Sequence, residues 1–300
     1  MNFLQRLFSE PKTPQPANAA PAANPSAGQL QPGQRCPLPP GLQVGRLTDL
    51  GKERDRNEDS YFAFEAMLQY DDRREPFGLF IVADGMGGHQ KGEEASSLAA
   101  RVAASYLAEH VYVPYLYQAA RGASGQPINE ALINAVENAN LAVQQTVPDG
   151  GTTLTAALVM GSNVYIAHVG DSRAYLFRQG DIKQITRDHS LAQRLEELGQ
   201  GTSDQLAGVQ NVLYRAVGQN STVEVDTFMQ PLAPGSSLLL CSDGLWGLVP
   251  AASLKAILTA AATPQDACRQ MVAAANQAGG HDNITAIVVT MGEEKTNGKI

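Results

Sequence analysis

Apolar residues recur along this chain in two distinct periods. Ala95, Leu98, Ala99, Val102 and Tyr106 fall at three- and four-residue spacing, which predicts a helix over 92–118. Glu93 and Glu94 stand in its first turn, where the helix dipole favours acids. Ile128, Leu132, Val136, Ala139 and Val143 repeat the pattern and predict a second helix over 128–147. Short continuous apolar runs follow another logic. Leu79 to Ala83, Ser237 to Cys241 and Ile284 to Thr290 read as buried strands. Residues 153–160, 163–169, 173–178 and 182–186 read as further strands, and short turns between the last three predict an antiparallel meander. Residues 190–199 read as helical and 200–211 as a Gly-containing loop. Thr263 and Pro264 read as N-cap and first residue of a helix running to 277, ended by Gly279-Gly280. Strand runs and helix runs are segregated, so the expected class is α+β with an antiparallel sheet core. No internal repeat is visible.

The pattern fades at both ends. Residues 9–40 are rich in Pro and Ala with few large apolar side chains, so they are expected to form a flexible tail. Before them, Phe3, Leu4, Leu7 and Phe8 have the spacing of one short amphipathic turn, marginal on its own in water. Globular composition begins near residue 41 and continues to 291, with 292–300 a polar tail. The chain of 300 residues is 43% apolar, enough for one sizeable core. Its net charge of −8 gives a nucleic-acid partner no global support. It also repels phosphate, so a phosphate site must be locally positive. Cys36, Cys241 and Cys268 are scattered and odd in number, which fits no disulfide framework or zinc spacing and favours a reducing cytoplasm. No apolar run approaches the roughly 20 residues a membrane helix needs. Arg6 interrupts the first apolar stretch, and no secretory signal is read there.

The candidate chemistry lies in acidic clusters beside the short apolar runs. They are Arg54-Asp55-Arg56-Asn57-Glu58-Asp59, Asp84-Gly85, Ser242-Asp243-Gly244 and Asp282-Asn283. Asp-Gly is also a hairpin signal, but after Asp84 the chain is Gly-rich and leads into a helix. Several carboxylates without matching Cys or His favour hard cations held by oxygen, Mg²⁺ or Mn²⁺. Such cations activate water against a phosphoester, and an Arg fork suits the phosphate itself. Metal-assisted phosphoester hydrolysis is the expected reaction.

Seven segments then stand in a telling order: GKERDRNEDS at 51–60, VADGMGGH at 82–89, GTTL at 151–154, GDSRAYL at 170–176, RDHS at 187–190, SDGLW at 242–246 and GGHDNITAIVV at 279–289. The chain resembles the metal-dependent serine/threonine protein phosphatases of type 2C, as a bacterial-type member, over 41–291. That resemblance implies a sandwich of two antiparallel sheets flanked by helices. It implies two Mn²⁺ or Mg²⁺ ions, with Asp84 bridging them, the Gly85 carbonyl binding one, Asp243 and Asp282 sharing one, and Glu58 or Asp59 serving the other side. Asp171 resembles the ligand of a third, weaker metal site. Arg54 would bind the substrate phosphate, with Arg56 the competing candidate, so Arg54 and Asp84 are the catalytic candidates. Thr152 and Thr153 would shape the site, and 190–214 resembles a flap that could steer protein substrates.

The implied partners are phosphoproteins carrying phosphoserine or phosphothreonine, made by an opposing kinase, and the chain is expected to be a monomer. One departure stands out. Many eukaryotic relatives have His after the Asp-Gly pair, whereas this chain has Met86, which transfers no proton. His89 and His189 are the nearby alternatives, each better read as packed or capping. A cysteine phosphatase is disfavoured, since the residues six beyond the cysteines are Leu42, Gly247 and Ala274 rather than Arg. A nucleotide-binding P-loop is also missing. A silent phosphoprotein-binding domain would have lost metal carboxylates, and all are present. Hydrolysis of small phosphate esters stays open at this level.

Overall fold

The computed structural model describes residues 41–70, 73–87, 90–121, 126–200, 208–209 and 211–292. The expectations for 1–40, for His89 and for most of the C-terminal tail lie outside them, as does much of the loop over 200–211.

Two antiparallel sheets face each other. The first contains β1 (Leu42–Asp49), β7 (Arg173–Arg178), β8 (Asp181–Gln184), β10 (Ser237–Cys241) and β11 (Ile284–Met291), in the order β1-β11-β10-β7-β8. The second contains β2 (Asp59–Tyr70), β3 (Arg73–Met86), β5 (Leu154–Met160), β6 (Asn163–Val169) and β9 (Asp226–Pro231), in the order β2-β3-β5-β6-β9. The two-residue strand β4 (Gly151–Thr152) pairs with the end of β3.

The short apolar runs are explained by burial on both faces. Successive side chains on a strand point to opposite sides. Phe80 and Val82 enter the core between the sheets with Leu238, Leu240, Ile287 and Val289. Leu79, Ile81 and Ala83 face outward onto α1 (Gln90–Leu107) and α3 (Ile128–Thr146). Leu239, Cys241, Ala286 and Val288 face outward onto α6 (Ala251–Ala260) and α7 (Pro264–Gln277). The result is four layers, helix–sheet–sheet–helix, as the resemblance implies. Thr263 caps α7 by accepting from the Asp266 N–H at 3.1 Å, with Pro264 following it.

Two expectations are corrected. The helix expected over 92–118 is interrupted: α1 ends at Leu107, a π-turn spans Ala108–Tyr112, and α2 (Val113–Arg121) follows. The strands 163–169 and 173–178 do not form a meander, because β6 and β7 belong to different sheets. Both are apolar enough to enter the central core, and Gly170, at φ 110°, turns the chain sharply from one sheet to the other. Several elements were not read in the sequence, among them β1, β9, α6 and the one-turn helix α5 (Asp243–Trp246). The remaining short helix is α4 (Leu191–Glu197). No helix among the described residues is long and apolar enough to cross a membrane.

Candidate active site

Antiparallel pairing brings distant parts of the sequence to one end of both sheets. β2 begins there, β3 and β10 end there, β11 begins there, and β6 crosses to β7 there. Asp59 stands opposite Asp84 in the β2–β3 register. Cys241, just before Ser242-Asp243, is paired with both Arg173 and Ala286. A cleft of about 480 Å³ opens at this end. Arg54, Glu58, Asp84, Gly85, Asp171, Asp243 and Asp282 all line it. Of the expected site residues, only Asp59 lies behind the wall, 8% exposed. A cavity of about 540 Å³ at the opposite end is lined, among the described residues, by no carboxylate and by Arg74 as its one charged residue.

The site is held by backbone and hydroxyl contacts. The Asp84 N–H donates to Thr153 Oγ1 at 2.9 Å, and the Asp84 carbonyl accepts from the Thr152 hydroxyl at 2.9 Å. The two threonines thus seat Asp84. Thr153 Oγ1 lies 2.7 Å from Ser172 Oγ, which ties this seat to the turn bearing Asp171. The Gly85 N–H donates to the Glu58 carbonyl at 3.1 Å. A Cβ on Gly85 would overlap the backbone of Gly92 in the first turn of α1, so only glycine permits this approach. The Ser242 hydroxyl donates to Asp59 Oδ2 at 2.7 Å. Arg54 donates to Asp282 Oδ2 at 2.7 Å, and its side chain is still 49% exposed at the mouth of the cleft. Arg56 instead turns toward Glu93 at 3.8 Å and does not line the cleft, which favours Arg54.

Electrostatics mark the cluster as costly. Burial pushes the Asp59 carboxyl up to about 8, with the charges of Asp243 and Asp282 adding to it. Burial raises Asp171 to about 8 as well, helped chiefly by Asp243. Asp84 is raised well above the usual range by burial and by Asp59 and Asp243, and Asp243 by burial and Asp282. Hydrogen bonding to Asp282 strengthens the charged form of Arg54. Among the described residues, three buried side-chain oxygen or nitrogen atoms lack a hydrogen-bond partner, and two are Asp59 Oδ1 and Asp243 Oδ1. Leaving such an acceptor unpaired costs about 1–3 kcal/mol. Hard cations would satisfy both oxygens and offset the mutual repulsion. Among the described residues no three Asp, Glu, His or Cys side chains already close on a common point. The fit therefore rests on donor type, burial and the two orphaned oxygens.

The remaining groups find their places. Met86 sits on the cleft wall, its sulfur 3.3 Å from Gln219 Nε2. His189 is packed behind the site, where its Nδ1 accepts from the Gly170 N–H at 3.0 Å. Burial, with Arg215 beside it, lowers its pKa. Asn211, Val212 and Leu213, from the segment resembling a flap, form part of the wall. Sequence reasoning assigned no role to Asn283, Ser242 or Trp246, although each stands within a quoted motif. Their adjacency to the key aspartates was the available signal.

Comparison with known proteins agrees with this geometry. Residues 56–278 match the family model described as protein phosphatase 2C. The serine/threonine phosphatase Stp of Listeria innocua is 36% identical over 246 residues, covering 81% of this chain and 93% of that protein. The Mycobacterium tuberculosis serine/threonine phosphatase PstP superposes with a TM-score of 0.69 at 30% identity, covering 84% and 99% of the two chains. A second structure, the PstP catalytic domain in complex with two manganese ions, gives a TM-score of 0.67 at 31% identity, covering 84% and 99%. The chain belongs to the protein phosphatase 2C family.

Proposed function

We propose that this chain hydrolyses phosphoserine and phosphothreonine in proteins, by direct attack of water and without a phosphoenzyme. The observation that carries the reading is the meeting of Asp84, Asp243, Asp171, Glu58 and Asp282 with Arg54 around one cleft. The family and the manganese-bound relative support it.

Asp84, Asp243, Asp282 and the Gly85 carbonyl are the groups that would hold two divalent cations, Mn²⁺ or Mg²⁺, with Glu58 at the cleft face and Asp59 behind Asp84. Asp171 would serve a third, weaker site. Bound there, the cations would supply an activated water and neutralise charge developing on the phosphate. Arg54 binds the phosphate with a planar fork, and Asp282 orients that fork. Thr153, the hydroxyl residue of the described cleft lining, is engaged by the Asp84 N–H and Ser172, so it is not poised as a nucleophile. Cys241 is buried in β10, and burial pushes its thiol up to about 12, which removes it as an attacking group. Met86 donates no proton, so protonation of the leaving oxygen would fall to a metal-bound water or to another group of the cleft.

The test is phosphate release from a phosphothreonine peptide with Mn²⁺ and with a chelator, beside Asp84→Asn. We expect turnover only with metal, and its loss in the variant with the fold kept. Full activity of Asp84→Asn, or turnover in chelator, would sink the assignment.

A further inference from the structure

Asp171 does not hold its own place. It sits 5% exposed in the turn that carries the chain between the two sheets. Its backbone carbonyl accepts a hydrogen bond from the Trp246 indole Nε1–H at 2.9 Å. Trp246 is the last residue of α5, the single helical turn that begins with Asp243. One rigid turn therefore carries one acidic residue and grips the backbone of another.

The indole is seated in turn. The Arg173 guanidinium lies over its ring, 3.4 Å from the centroid. Arg173 is itself clamped by Asp188: Nε donates to Oδ1 at 3.0 Å and to Oδ2 at 3.1 Å, and a terminal nitrogen donates to Oδ2 at 2.6 Å. The Asp188 side chain is only 4% exposed and accepts a further bond from Gln184 at 2.9 Å. These bonds fix the Arg173 guanidinium where it lies over the indole. Neither Trp246, Arg173 nor Asp188 lines the cleft, so none of them meets substrate there. What the arrangement controls is the position of the Asp171 turn relative to α5. The Asp243 charge already acts on the Asp171 carboxyl, so the two groups are electrostatic neighbours.

We propose that Trp246, seated by Arg173 and Asp188, is a positioning residue that sets Asp171 against Asp243 for a divalent cation at the edge of the cleft. The inference rests on reading Asp171 and Asp243 as cation ligands. Partners of this outer kind typically change metal affinity by about 10- to 100-fold when removed.

The chain has one Trp, so its emission reports this position alone. The experiment titrates the metal-free full-length protein with Mn²⁺, read by Trp emission and by calorimetry. The wild type should show an emission change in a binding step that Asp171→Ala removes. Trp246→Phe keeps an aromatic face for Arg173 and lacks only the indole N–H. Read by calorimetry alone, since this variant carries no Trp, it should weaken that step by about 10-fold or more at an unchanged melting temperature, and raise the KM for Mn²⁺ more than it lowers kcat. Arg173→Lys, which loosens the stack and leaves the indole N–H in place, should weaken the same step and serves if Trp246→Phe fails to fold. Wild-type Mn²⁺ binding in either folded variant, with the step still lost in Asp171→Ala, overturns the proposal and leaves the ligand reading standing. Retention of every step in Asp171→Ala overturns the ligand reading, and the inference falls with it.

Discussion

Asn283 Oδ1 accepts the Glu58 backbone N–H at 2.7 Å, and its Nδ2 donates to the Leu50 and Arg56 carbonyls at 3.0 and 2.9 Å. One buried amide thus shapes the loop that presents Arg54 and Glu58. Asn283→Ala strands three backbone groups, and we expect a stability loss of about 2–3 kcal/mol with a raised KM for phosphopeptide. Denaturant unfolding and steady-state kinetics check this; a wild-type KM would show that the loop keeps its shape unaided. The carboxylates predict a pH dependence. Asp59 and Asp171 stand at about 8 in the folded chain against 3.8 ordinarily, so the folded state holds their protons more tightly. Their contribution is full below about pH 4 and is lost as pH rises toward about 8. The chelated protein should melt at progressively lower temperature across that window. Added Mn²⁺ should recover more stability at the upper end, where the carboxylates are ionised. Melting curves that ignore pH, or a Mn²⁺ effect larger at pH 5 than at pH 8, would contradict the cluster's electrostatics.

At the scale of elements, the decisive contact is the first turn of α1 against the end of β3. A Cβ on Gly92 would overlap the Glu58 carboxylate, and one on Gly85 would overlap the Gly92 backbone. The two changes should differ. Glu58 is a flexible end that can move, so Gly92→Ala should keep the fold and lower activity by about 10-fold through a displaced Glu58. Gly85→Ala meets rigid backbone and should cost about 1–3 kcal/mol of stability. Thermal melts beside phosphatase assays separate the outcomes; equal melting points for both variants would show that α1 moves freely. The helices α1, α3 and α7 were legible in the sequence from their apolar periodicity or caps, and the strands β5, β6, β10 and β11 from short apolar runs buried on both faces. β9 was not, since its residues are largely half-exposed and mixed in polarity. The one-turn α5 was hidden because Asp243-Gly244 reads equally as a turn.

For the whole molecule, the first described strand is β1, which pairs with β11 from Leu42 onward, and the cleft is lined by residues from Arg54 on. Removal of residues 1–40 should therefore leave turnover on a phosphopeptide unchanged. Loss of turnover in the shortened protein would make that segment part of the catalytic unit. The net charge of −8 leaves phosphate recognition to local groups, and among the described residues Arg54 is the cation that lines the cleft.

The order of the acidic motifs and their places beside apolar runs carried the resemblance to the family, and with it the sandwich class and the acidic residues of the cleft. Those features are local: a residue type, a period, a spacing along the chain. Tertiary structure alone decided which strands share a sheet, and so turned the Gly170–Asp171 bend from an expected hairpin into the crossing that delivers Asp171 to the cleft. It also put Arg54 on the cleft and Arg56 beside Glu93, set Asp59 opposite Asp84, and gave Asn283 and Trp246 their partners. Each depends on contacts between residues far apart in the chain, such as the 225 positions between Glu58 and Asn283, and those contacts exist only once both sheets have closed on their common core.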